Sequence, residues 1–112
     1  MKPYRHAISS VKQWGGVYDD YMPIHNFMDS TKSALADVRH RAILHSAFGI
    51  YIVEKVFGDV ITNSDKYIIS VRDIAEKHVI EDLGSIPSIE KWFSGMPIEP
   101  WMSGKIVKLN QD

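Results

Sequence analysis

The sequence predicts a mainly α protein, a compact helical domain around one long central helix, with one small β-hairpin. Three observations carry this. Apolar residues recur at helical spacing along most of the chain, punctuated by Gly and Pro. The stretch from about Thr31 to Phe57 is apolar on two sides, as a helix packed between neighbours must be. Two β-rich runs, Val60-Ile61 and Tyr67-Ile68-Ile69, flank the polar turn Thr62-Asn63-Ser64-Asp65. With 112 residues, 45% hydrophobic and 24% charged, the chain has material for one globular core and no second one.

The first helix spans about Pro3 to Trp14. Pro3 suits a first turn, Tyr4, Ala7, Ile8, Val11 and Trp14 share one side, and Gly15-Gly16 stops it. Asp19 or Asp20 caps a short second helix with the stripe Tyr21, Ile24 and Met28; Pro23 is tolerated there because it lies in the first turn. Asp29 or Ser30 caps the long helix. Its broad face joins Ala34, Leu35, Val38, Ala42, Ile52, Val53 and Val56, its second face joins Ile43, Ile50 and Phe57, and Gly58 ends it. A two-stranded hairpin is marginal alone, so the one around residues 60–69 must lie against the helices. The helical pattern returns from about Val71 to Leu83 and stops at Gly84. Ile86-Pro87 turns the chain, and Ser88 caps a last short helix through Trp92-Phe93 to Gly95. Residues 1–95 form the helical domain. Residues 96–112, with Pro97, Pro100 and Gly104, form an irregular C-terminal arm whose Trp101 and Met102 can dock on the body or on a second subunit.

Charge and cysteine content exclude several functions. Thirteen Lys and Arg against 14 Asp and Glu leave a formal charge of −1, so no global basic field draws the chain to nucleic acid or anionic membrane. No stretch reaches the roughly 18 apolar residues of a membrane span. The N-terminal MKPYRHAISS lacks the apolar centre of a secretory signal, and a cytoplasmic location is expected. With no Cys there is no disulfide, no thiolate nucleophile and no cysteine-based zinc or iron–sulfur site. His, Asp and Glu remain as metal ligands and acid–base groups.

The five histidines divide by helical phase. His25 lies on the Tyr21 stripe, with Asp29 four residues on. His45 sits in the middle of the broad face of the long helix. His78 continues the buried stripe Val71, Ile74, Ala75, with Asp82 four residues on. Histidine and aspartate at i and i+4 share one helix face about one turn apart, close enough to hold one metal ion. A lone histidine on such a stripe is more often a satisfied core residue than a ligand. Three that converge with carboxylates point to a shared polar site, because a buried unsatisfied polar group costs about 1–3 kcal/mol. Neutral imidazoles and carboxylates around one divalent ion, zinc in particular, with an open position for water, would make a catalytic centre. The ligands expected are His25, His45, His78 and Asp82, with Asp29 as alternate and Glu81 as acid–base group or support. His6 falls on the polar side of the first helix with Ser10 and Gln13 and is expected in solvent. His40, between Arg39 and Arg41, is expected on a charged face balanced by Asp37 and Glu54; with Lys32 this face could grip a phosphate. No HExxH, contiguous His-Asp pair, nucleophile elbow or phosphate loop occurs.

Four stretches resemble a family of small uncharacterised bacterial and phage proteins, a domain of unknown function. They are His6-Ala7…Ser10 through Trp14-Gly15-Gly16; Asp20-Tyr21…Ile24-His25…Asp29-Ser30…Lys32; Arg39-His40-Arg41-Ala42…His45 through Gly49-Ile50…Glu54…Phe57-Gly58; and Val71-Arg72…Ile74…Glu76…His78-Val79…Glu81-Asp82-Leu83-Gly84…Ile86-Pro87. The resemblance covers about residues 5 to 93, and its motif includes His25, His40, His45, His78, Glu81 and Asp82. At Ser46 this chain departs from a family pattern that often has a second His after His45. The resemblance implies an origin but no chemistry.

Two functions are expected. The first is a divalent-metal site in a helical protein, with hydrolysis of a small phosphorylated or acyl substrate as the matching reaction class. The second is a non-enzymatic phage or prophage accessory protein that binds a host protein or small ligand. In it the buried histidines form a structural network, and Trp92, Phe93, Trp101 and Met102 form the contact surface, which also allows a homodimer through the arm.

Overall fold

The computed structural model describes residues 1–104. Among the described residues five α-helices and one hairpin make a mainly α fold: α1 (Pro3–Trp14), α2 (Met22–Asp29), α3 (Ala47–Phe57), β1 (Val60–Thr62), β2 (Ile68–Ser70), α4 (Val71–Leu83) and α5 (Ile89–Phe93). Short 3-10 turns sit at Tyr18–Asp20, Ser30–Ser33, Val38–Ala42 and Pro100–Ser103. Among the described residues no helix is long and apolar enough to cross a membrane.

The expected boundaries of α1, α4, the hairpin and α5 hold. Gly15 at φ 83° and Gly84 at φ 80° close α1 and α4 in conformations that favour glycine. Ser88 accepts a hydrogen bond from the Lys91 amide at the start of α5. The strands pair antiparallel, with Ile61 opposite Ile69. Asn63 anchors the hairpin to α1 and to the start of α2: its buried amide donates to the Trp14 carbonyl at 3.0 Å and to the Tyr21 hydroxyl at 3.2 Å.

The long central helix does not form. Residues 30–46 run instead as two 3-10 turns and irregular chain, and helix resumes only at Ala47. Two caps explain the break. The Asp37 carboxylate accepts from the Arg39 amide, and the Ser46 hydroxyl accepts from the Gly49 amide at 2.9 Å with Ser46 in extended conformation. The chain then passes so close to α3 that a Cβ on Gly49 would lie 2.2 Å from the Leu44 carbonyl oxygen. The broad face is lost with the helix: Leu35, Val38 and Val56 are exposed, as is Ile43 of the second face. Nor does Asp29 cap the 3-10 turn at Ser30–Ser33; its side chain turns inward.

α1 packs on α2 and α3 on α4, with α4 also against α2 and the hairpin. The apolar core joins Tyr21, Ile24 and Met28 of the α2 region, Ile50 and Val53 of α3, and Val71, Ile74, Ala75 and Val79 of α4. Beside it lies a second, polar interior to which α1, α2, α4 and the 43–46 segment all contribute.

Candidate metal centre

All five histidines are buried, including the two expected at the surface. α1 is rotated relative to its apolar stripe. It turns His6, Ala7 and Ser10 inward and leaves Tyr4 half exposed. The rotation is tolerated because each inward polar group finds a partner on another helix. His40 is buried at the second 3-10 turn of the 30–46 segment, where its Nδ1 lies 2.8 Å from Thr31 Oγ1. Burial and the neighbouring Arg41 push its pKa down. Arg39 is held by Asp37 rather than free for a phosphate.

Asp82, on the last turn of α4, is the centre of the polar interior. Its Oδ1 accepts from His6 Nε2 at 3.1 Å and from the Met1 amino group at 2.6 Å. Its Oδ2 accepts from His45 Nε2 at 2.9 Å and lies 3.4 Å from His78 Nε2. His78 Nε2 also donates to Asp29 Oδ1 at 3.1 Å, and His45 Nε2 is 3.7 Å from the same oxygen. Asp29 Oδ1, His45 Nε2, His78 Nε2 and Asp82 Oδ2 thus enclose a small polyhedron, and all four groups offer ligand atoms within 4.8 Å of one another. Two further buried atoms of the same residues, Asp29 Oδ2 and His45 Nδ1, have no hydrogen-bond partner among the described residues.

Behind His78 runs a directional chain whose tautomers hydrogen bonding assigns. The Ser10 hydroxyl donates to the His6 carbonyl at 3.0 Å, so toward His25 Nε2, 2.8 Å away, it can only accept. His25 therefore carries its proton on Nε2, and its Nδ1 accepts from His78 Nδ1 at 2.8 Å. That leaves His78 Nε2 as the atom facing the carboxylates, oriented as a metal-ligating imidazole is by its supporting bond. The rings of His6, His25 and His78 stack, with His6 and His78 centroids 3.7 Å apart.

The electrostatics follow from this wiring. Burial, with His78 and His6 close by, pushes the His25 pKa down to about 3, so the ring is neutral. Burial also lowers the pKa of His45 by more than its bond to Asp82 recovers. For His78, burial works against the charged ring, but the bonds to Asp29 and Asp82 outweigh it and raise the pKa. Burial opposes the charge of Asp82 and Asp29 as well. Hydrogen bonds from His45, His6 and His78 nevertheless hold Asp82 well below the usual carboxylate range, and the bond from His78 lowers Asp29.

Of the residues expected from the sequence, Asp29, His45, His78 and Asp82 meet around one point. His25 stands behind His78 as its support, and belongs with His6 and His78 to a second cluster of three. Glu81 lies outside the polyhedron, accepting from His6 Nδ1 at 2.8 Å and from the Ser9 hydroxyl. His6, Ser9 and Ser10 are site residues whose sequence pattern points to water. Their signal is the i, i+3, i+4 stripe His6, Ser9, Ser10 on α1, which looks like a solvated face until a partner helix supplies the matching polar groups.

A model of a protein family matches residues 1–102. The chain belongs to DUF6915, a domain family of unknown function. The match takes in the whole DUF6915 polar interior and the arm as far as Met102. No curated protein and no solved structure matches the chain.

Proposed function

We propose that the protein binds one divalent cation of zinc-like preference through Asp29 Oδ1, His45 Nε2, His78 Nε2 and Asp82 Oδ2. One observation carries the reading. Ligands at about 2.0–2.1 Å from a tetrahedral zinc stand about 3.3–3.4 Å apart along each edge. The four nitrogen–oxygen edges here are 2.9, 3.1, 3.4 and 3.7 Å and bracket that value. Two imidazoles and two carboxylates, with no thiolate, suit zinc and exclude the softer copper(I) and iron–sulfur chemistries. The supporting chain His78–His25–Ser10 fixes the ligating face of His78, and the cation takes the place of the protons that now bridge His45 and His78 to the carboxylates.

Four protein ligands complete a tetrahedron, so the geometry favours a closed site over a hydrolytic one with an open water position. The ligands come from α2, the 43–46 segment and α4, and one ion would tie these three together. Calorimetric titration of chelator-treated protein with Zn²⁺ tests the reading. One equivalent is expected for wild type, and Asp29→Asn and His45→Gln should each weaken binding by about 100-fold or more, an outer-shell change being worth about 10–100-fold. Absence of uptake by folded wild-type protein would overturn it and leave the histidines as a structural hydrogen-bond network.

A further inference from the structure

His6 is buried against two of the four ligating side chains, Asp82 and His78, yet offers neither a lone pair. Its Nδ1 donates to Glu81 Oε1 at 2.8 Å and its Nε2 to Asp82 Oδ1 at 3.1 Å, so both nitrogens are spent on carboxylates. Its ring stacks on that of His78, with planes 20° apart. Stacked, near-parallel rings aim their nitrogens side by side rather than at one point, so His6 does not join His78 on an ion. At the far end Glu81 is fixed in turn by the Ser9 hydroxyl, and the Lys77 ammonium lies 3.9 Å from it.

The two ligating carboxylates differ as a result. Asp82 has both oxygens engaged, Oδ2 by His45 and His78 and Oδ1 by His6 and the Met1 amino group. Asp29 has Oδ1 engaged by His78, while its Oδ2 has no partner among the described residues. Of the two groups on Asp82 Oδ1, Met1 is half exposed, where an ion pair is worth little; His6 is fully buried and held at both ends.

We propose that the Glu81–His6 pair is the positioning and selectivity element of the cation site: by holding Oδ1 it keeps Asp82 monodentate and leaves the site short of the donors a six-coordinate ion takes. The inference rests on the cation reading above. With Oδ1 held, the site offers two imidazole nitrogens, one Asp82 oxygen and at most both Asp29 oxygens. That suffices for the four ligands of zinc. The four side chains are 9% exposed or less, which leaves little room for water to add a donor. Released from His6, Asp82 chelates with both oxygens and supplies the sixth donor, in the octahedral, oxygen-rich manner that suits Mn²⁺.

Competition titration of the chelator-treated full-length chain with Zn²⁺ and Mn²⁺ is the test, read as the ratio of the two affinities beside the urea midpoint. In His6→Leu zinc affinity is expected to fall about 10–100-fold, as for loss of an outer-shell partner, and the zinc-over-manganese ratio at least about tenfold. His6→Gln places an amide N–H where Nε2 stood and should keep the ratio near that of wild type. Glu81→Ala, at the partly exposed end of the pair, should shift the ratio in the direction of His6→Leu and carries the test if that variant fails to fold. A merely structural role lowers the urea midpoint and both affinities together and leaves the ratio unmoved. That result, with wild type taking up one Zn²⁺, overturns the positioning role and spares the cation site. Wild type that takes up no Zn²⁺ overturns both.

Discussion

Asp82 accepts from three histidines, and its side chain is 1% exposed. Removing its charge would leave imidazole donors facing a group that cannot answer them. Asp82→Asn should therefore cost about 3–5 kcal/mol in urea unfolding, as when one partner of a buried ion pair is removed. In chelator-treated protein the histidines set the pH dependence of stability. His25 and His45 have folded pKa values below the unfolded value of about 6.5, so the unfolded chain takes up protons first as pH falls. Stability should decline from about pH 6.5 toward the His25 value of about 3. His78 acts oppositely: its pKa is raised, so its contribution is complete below about pH 6.5 and is lost as pH rises through the folded value. The urea midpoint should thus peak near neutrality, and His25→Gln should flatten the acid limb. A midpoint that rises steadily from neutral pH to pH 4 would contradict these assignments.

Among the elements, the segment between α2 and α3 decides whether the site assembles, because it delivers His45. Ser46 caps α3, and Ser46→Ala should cost about 1 kcal/mol. Gly49→Ala places a methyl against the Leu44 carbonyl; it should cost about 1–3 kcal/mol and also weaken cation binding, because the neighbouring His45 must move. Much of this architecture is legible in the sequence. α1, α4, α5 and the hairpin follow from apolar spacing, Gly stops and the Ser88 cap, and the phase of α4 places His78 and Asp82 on one inward face. The interruption of residues 30–46 is written there too, in Asp37 and Ser46, but apolar periodicity across them outweighs two local caps. His6 and Ser10 are misplaced for a related reason. Periodicity divides a helix into apolar and polar faces, and it cannot tell a face that meets water from one that meets a polar interior. Buried His40 escapes for want of any local signal, since its partner Thr31 is set by the 3-10 turns.

For the whole molecule, the polar interior lies where α1, α2, α4 and the 43–46 segment meet, beside an apolar core of modest size. A cation bound there ties α2 and α4 to the segment that leads into α3. Binding to the folded chain alone should raise the melting temperature by about 10 °C at a hundredfold excess over Kd, and a chelator should reverse the rise. The centre is linked to α5 through Trp92, whose indole N–H donates to the His45 carbonyl at 2.9 Å. Trp92→Phe removes that bond and should weaken cation uptake without touching a ligand. X-ray absorption fine structure at the zinc edge of the loaded protein reads this coordination sphere directly. Four nitrogen and oxygen ligands at about 2.0–2.1 Å, with outer-shell scattering from two imidazole rings, are predicted. A six-coordinate oxygen shell without imidazole scattering, or a protein that holds no zinc to measure, would contradict it.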